Sequence, residues 1–573
     1  MNIKEFKYKI FVFSIVLTFI LSACQPAMTE VPEVPLVQEA EKATEVVVAP
    51  TKVPAPIVAP PAPTEIPMEE ETVLRVAVSG EIESLDVHQL AAARSWSVAF
   101  AIYGMAFNYG FETDPATSLT YANANYQPGL FESWEKRTEG DQIVYKIKIR
   151  KGCMFESGNE LTAKDVAYRF ERMEGLRPWN NTAYGCTKGK DCVKILDDYT
   201  IEEWLDTPNP ITDIGMRPIN SMIVDSEVLK ENSTTEDPWG HEYLRLNGLG
   251  VGPYRIAENT PGVEMILVKN EDYCAPENMH GYYDKIVLKV IPDVSQQSLL
   301  LQKGEIDIAP ELPAKEVLDL LDVPGVKVFS FASTKMVNLG LNNKIKPYDN
   351  AKVRQALAYA VPYQDIMDAV YQGQAQKPGG LITRGTIVST DKYWIYEYDL
   401  EKAKQLLTEA GYPEGFEMDI VMDMSYGQFE EAAILIMDSF AKIGIKGRIV
   451  KEASSAYQEK LRKKEQPAFI YDMLSWVNDV GYTFSMVWMP TGFANYVMYE
   501  NQELMDAVNE AWKVMDPDVR FKMYDPIIEI LNTDVPAIVL VQPNYNVAMR
   551  DTLQGFTKYP EELARYFELK PIE

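Results

Sequence analysis

Apolar and polar positions divide the chain into three stretches. Ile10 to Leu21 is apolar almost throughout and follows a basic leader with Lys4, Lys7 and Lys9. A run of about a dozen residues is too short to cross the hydrocarbon core, which takes about 20. A basic leader, a short apolar run and small residues after it predict a secretory signal peptide over 1–24. From 25 to 72 the periodicity lapses into Pro, Val, Ala, Glu and Thr, with no glycine and no aromatic residue. Such a segment buries too little to offset the entropy of ordering it, and its prolines favour extended backbone, so it reads as a disordered stalk.

Beyond residue 72, strand and helix periods alternate. Ile143 to Ile149 alternates apolar and mostly polar positions, the pattern of a half-buried strand, and Lys285 to Ile291 predicts a second. Thr162 with Asp165 three residues later predicts a helix start, and Val166, Phe170 and Met173 follow at helical spacing. A later helix begins near Asp349 or Asn350, with Val353, Ala356, Leu357 and Ala360 on one face. Another begins at Asp399, carries Ala403, Leu406, Leu407 and Ala410, and stops at Gly411 with Pro413 beyond. These stripes predict a mixed α/β core. The roughly 500 residues after the stalk suffice for two or three domains.

Charge and cysteines narrow the function. The formal net charge of −29 argues against nucleic acid or anionic lipid as a partner. In an oxidising compartment Cys186 and Cys192 are placed to close a short loop, whereas for Cys153 and Cys274 a second bridge and buried free thiols both stay open, free thiols being the expected case. Enzymatic signatures are missing. His88, His241 and His280 are isolated in sequence, and His241-Glu242 lacks the second histidine of a zinc protease motif. Neither a Gly-x-Ser-x-Gly elbow nor a phosphate-binding glycine loop occurs. No cofactor and no metal cluster is expected.

A series of segments changes the picture. Glu81 to His88 contains Ser84-Leu85-Asp86-Val87-His88; Leu130-Phe-Glu-Ser-Trp-Glu135 precedes Tyr145 to Phe155; Gly158 to Met173 follows. Gly250-Val251-Gly252-Pro253-Tyr254, Lys269 to Glu277, Leu299 to Pro310, Asn342 to Val361 and Tyr398 to Gly415 complete the set. In this order they resemble the family 5 extracellular solute-binding proteins, which include oligopeptide-, dipeptide- and nickel-binding proteins. Leu21-Ser22-Ala23-Cys24 resembles the lipobox of bacterial lipoproteins, which implies that Cys24 is diacylated and becomes the mature N-terminus. Acyl chains of this kind tether a protein to a bilayer without spanning it.

The resemblance implies a two-lobed α/β fold of the type II periplasmic-binding-protein kind, with an extra subdomain and a ligand cleft between the lobes. Lobe I would comprise 73–108, 209–335 and a C-terminal return over 546–573; the extra subdomain would fill 109–208 and lobe II 336–545. The implied role is that of a monomeric, lipid-anchored protein on the extracytoplasmic face, periplasmic or at the cell surface. It would close on a peptide and deliver it to an ABC permease and ATPase complex. Ser475-Trp476-Val477-Asn478-Asp479 matches the segment that, in peptide-binding relatives, places an aspartate against the ligand's α-ammonium group. Asp479 takes that position, although Val480-Gly481-Tyr482 follows where relatives often have an acidic residue and proline. Trp476, Trp96 and Tyr184 are the accompanying pocket candidates. Oligosaccharides, metal chelates, or a sensing role in the same fold remain open alternatives on these residues.

Overall fold

A computed structural model describes residues 71–90, 93–115, 118–140, 142–176, 186, 188–205, 221–386, 388–477 and 479–572. The signal peptide, Cys24, the stalk through residue 70 and Tyr184 lie outside the described residues. Side-chain caps build the expected helix starts. Asn350 accepts from Lys352 N at 2.9 Å and opens the helix Ala351–Ala360, whose Val353, Ala356, Leu357 and Ala360 are fully buried. Asp399 accepts from Lys402 N at 2.9 Å and opens Leu400–Glu409, which ends before Gly411 at φ +91°. Thr162 donates its N–H and hydroxyl to the Asp165 carboxylate, and the helix Ala163–Leu176 follows. The strands appear as Gln142–Ile149 and Lys285–Val290.

The main sheet has twelve strands among the described residues and two halves. In the first half, Val73–Val78 runs parallel to Lys285–Val290, which pairs antiparallel with Glu264–Lys269. In the second, Ile420–Asp423 runs parallel to Ile449–Glu452 and to Ala468–Leu474, and the last pairs antiparallel with Lys335–Leu341. One strand, Ala537–Arg550, serves both halves. Its first part pairs with Lys335–Leu341 through Val541, and its second pairs with Val326–Ala332 from Asn544 onward. The sequence explains the break: Ala537 to Val541 is apolar and buried, Gln542-Pro543-Asn544-Tyr545-Asn546 interrupts it, and Val547 to Met549 is buried again. The lobe boundary expected between 545 and 546 therefore falls inside a continuous strand.

A smaller sheet in the order Phe131–Glu139, Gln142–Ile149, Thr200–Leu205, Val193–Asp197 stands beside the first half. Cys186 and Cys192 are bridged as expected. Cys153 and Cys274 are also bridged, which corrects the expectation of free thiols. Their sequence separation of 121 hid the pairing, since only the packing of the small sheet on the first half brings them together. No helix among the described residues is long and apolar enough to cross a membrane.

A crosslink over so long a loop removes much freedom from the unfolded chain, about 5 kcal/mol in the chain-entropy treatment. Cys153→Ala/Cys274→Ala is therefore expected to lower the urea midpoint of the body clearly, and Cys186→Ala/Cys192→Ala to lower it less. Equal midpoints for the two variants would contradict the role given to the long-range bridge.

Candidate ligand-binding cleft

A cavity of about 550 Å³ lies between the two halves, within the size range of small-ligand pockets. From the first half it is lined by His88, Gln89 and Leu90, the segment beyond Val73–Val78, together with Leu176 at the end of the Ala163–Leu176 helix. From the second half the wall is aromatic and thioether-rich: Trp476, Tyr482, Met486, Phe493 and Tyr496. Tyr482 belongs to the short helix Val480–Thr483, and Met486 to the π-helical turn Phe484–Trp488 that continues it. The rigid strand Ala468–Leu474 leads into this wall.

Two opposite charges line the same cavity. Arg462 ends the helix Ser454–Arg462, where a cation is favoured by the helix dipole. Its guanidinium forms no ion pair among the described residues. Asp472, on the strand Ala468–Leu474, has Lys335 Nζ at 3.6 Å and keeps 32% of its side chain exposed. Tyr496 registers both charges. Burial pushes its phenol up to about 12, with Arg462 pulling it down and Asp472 pushing it up.

The residues expected from sequence distribute unevenly around this cavity. Trp476 is in the wall. Trp96, on the helix Ala93–Tyr103, is 1% exposed and stands behind it, the two rings meeting edge to face at 5.3 Å and 80°. Asp479 does not line the cavity. It caps the Val480–Thr483 helix by accepting from Gly481 N at 2.7 Å, and its other oxygen accepts from Arg520 Nη2 at 3.2 Å. Both side chains of that pair are 0% exposed. Asp479 is thus neutralised inside the second half, by a partner on the helix Pro517–Asp534 that its own segment gives no hint of.

Sequence reasoning missed His88, Arg462 and Asp472. A lone acid inside the otherwise apolar strand Ala468–Leu474 was the available signal for Asp472. The histidines, isolated in sequence, are not isolated in space. Asp86, 0% exposed, accepts from Arg172 Nη1 and Nη2 at 2.6 Å each and has His241 Nδ1 at 2.8 Å. Burial opposes a charge on Asp86, but the bonds from Arg172 and His241 outweigh it and hold the carboxyl well below the usual range. Among the described residues, no group of three or more His, Cys, Asp or Glu is arranged to hold a metal ion.

The pattern described as Bacterial extracellular solute-binding proteins, family 5 Middle, matches residues 125–495. The chain belongs to this family. Among family 5 relatives, Heme-binding protein A of Haemophilus influenzae is 26% identical over 499 residues, covering 82% of this chain and 89% of its own. The Dipeptide-binding protein of Escherichia coli is 26% identical over 462 residues, 76% of this chain and 84% of its own. Among solved structures, the periplasmic binding protein DppA of Helicobacter pylori, in complex with the peptide STSA, superposes with a TM-score of 0.75. Its identity is 25%, over 88% of this chain and 99% of that chain. The oligopeptide-binding protein AppA of Bacillus subtilis shares the fold at a TM-score of 0.74 and 22% identity, over 88% and 100%. The family 5 chain thus has the type II periplasmic-binding-protein fold, and each of these relatives is named as a binding protein.

Removing one member of a buried ion pair strands the other, at about 3–5 kcal/mol. Arg520→Met is expected to destabilise the protein by that amount in chemical denaturation, and adding Asp479→Asn to recover most of the loss. No recovery in the double variant would show that the pair is not what holds this helix and loop together.

Proposed function

We propose that this family 5 protein is the lipid-anchored substrate-binding component of an ABC importer for short peptides with free ends. The carrying observation is that Arg462, which forms no ion pair among the described residues, and the partly exposed Asp472 line one cavity between the halves. A peptide with free ends has a cation at one terminus and an anion at the other, so such a cavity complements both. Asp479, expected from sequence to take the ammonium group, already has Arg520, and this supports assigning the ammonium to Asp472. Arg462 takes the carboxylate, and Trp476, Tyr482 and Met486 accommodate varied side chains by apolar contact. Charge-assisted bonds at the termini leave the side chains loosely read, which gives breadth of specificity.

Delivery follows from closure. The ligand touches both halves only when they approach, so it stabilises the closed form, and motion is confined to the two chain crossings at 332–335 and 541–545. On this reading the crossings bound the lobes, with lobe I ending near 335 and resuming near 546 and lobe II between them. The closed, loaded form is then read by the permease and its ATPase. Diacylation of Cys24 and the stalk over 25–72 would keep the body near the membrane's outer face.

The test is a binding panel read by thermal shift. A ligand at a hundredfold excess over its Kd stabilises by about 2.7 kcal/mol. Di- and tripeptides with free termini are expected to shift the wild type, with N-acetylated or C-amidated forms at least tenfold weaker. Asp472→Asn is expected to erase the discrimination against N-acetylation, Arg462→Met that against amidation. Selective loss of free-amine peptides in Asp479→Asn instead would return the ammonium to Asp479. Shifts with oligosaccharides or metal chelates and none with peptides would overturn the peptide reading.

A further inference from the structure

The histidine that reaches the cavity is held in one chemical form. His88 donates its backbone N–H to Asp86 Oδ1 at 3.0 Å, and its ring Nδ1 lies 2.7 Å from Arg172 Nη1. A guanidinium is a donor only and stays charged, so Nδ1 must be the acceptor and the ring proton sits on Nε2. Arg172 cannot turn away. Its side chain is 0% exposed, Nη1 and Nη2 grip Asp86, and Nε donates to the Trp239 carbonyl at 2.9 Å. Burial, with the neighbouring Arg172 charge, drives the His88 imidazole down to about 3, so the ring is neutral.

The other nitrogen faces a different environment. His88 is 3% exposed and lines the cavity. Its Nε2 has no hydrogen-bond partner among the described residues, yet it is not one of the polar atoms sealed off from solvent. That nitrogen carries the ring proton and has no acceptor among the described residues. We propose that His88 is a pre-set hydrogen-bond donor of the cleft. Its Nε2–H takes a carbonyl or carboxylate oxygen of the ligand, from the half opposite Asp472 and Arg462, and it is not a ligand for a metal or for heme iron. This rests on the cavity being the ligand site, as proposed above.

The exclusion of iron has a physical basis. A metal-bound histidine offers a lone pair on one nitrogen and donates the other N–H to a carboxylate or carbonyl. Here the other nitrogen faces a guanidinium, which accepts nothing. Coordination through Nε2 would leave Nδ1–H pointing at Arg172, a donor against a donor. The cavity is thereby biased toward ligands that present an oxygen acceptor at this wall.

Three readouts test the proposal. In 15N NMR of the unliganded wild type, His88 is expected to show a pyrrole-type Nε2 and a pyridine-type Nδ1, unchanged from pH 5 to 8; an Nδ1–H tautomer would overturn the assignment. With trialanine as probe, His88→Ala is expected to bind about tenfold more weakly, the effect of losing one donor to a buried acceptor. His88→Gln, whose amide can accept from Arg172 and donate into the cavity, is expected to stay within about threefold of wild type. Equal losses in both variants, or none in His88→Ala, would overturn the donor role. Trialanine amide separates the acceptors: the same loss marks a carbonyl, and no further loss marks the carboxylate. The third probe is hemin alone, and a six-coordinate spectrum that disappears in His88→Ala would also overturn the proposal. Failure of wild type to bind trialanine would sink the peptide reading, leaving the tautomer and the hemin spectrum to decide this one.

Discussion

The strand Ala537–Arg550 is one covalent and hydrogen-bonded element that belongs to both halves of the sheet, and the architecture of the cleft depends on it. Its apolar ends are buried, whereas its centre is polar and bonded to the other crossing. Gln542 donates to the carbonyls of Ser333 and Arg384, and Asn544 donates to Ser330 Oγ at 3.0 Å. Glu562 ties the same place from the C-terminal segment, accepting from Ser333 Oγ at 2.7 Å and Thr334 N at 2.8 Å. Burial raises the Glu562 carboxyl above its ordinary range, the nearby Lys558 charge opposing it. Two adjacent crossings held in this way join the halves at one place, beside the cavity that lies between them.

Charge placement gives that cavity its character. Three charge pairs among the described residues are wholly buried: Asp86 with Arg172, Asp479 with Arg520, and Glu561 with Arg565, all six side chains 0% exposed. Such pairs hold segments together and have nothing left to offer a ligand. Arg462 and Asp472 differ because they line open space, the first with no ion pair among the described residues and the second with Lys335 only at 3.6 Å. The aromatic side chains Trp476, Tyr482 and Tyr496 line the same cavity.

Helix caps and stripes were legible because they are local: Asn350 and Asp399 act on residues two and three positions away. Trp476 was legible through its motif. The fate of Asp479 was not, since its partner Arg520 is 41 residues further on, across a fold that no local pattern encodes. The same holds for Cys153 and Cys274, 121 residues apart, and for Asp86 and His241, 155 residues apart. His88 looked like one isolated histidine among three. Its significance comes from which nitrogen faces Arg172, a fact of geometry alone. The polar centre of Ala537–Arg550 resembles a loop in sequence and is a strand because two partners supply its ladder.

A structure determined with a bound free-ended tripeptide tests the central claim most directly. The expected result is a peptide enclosed between the halves, its ammonium group within hydrogen-bond distance of Asp472 and its carboxylate at Arg462, with Asp479 still paired to Arg520. A peptide whose ammonium group displaces Arg520 from Asp479, or one bound outside the cavity between the halves, would contradict it.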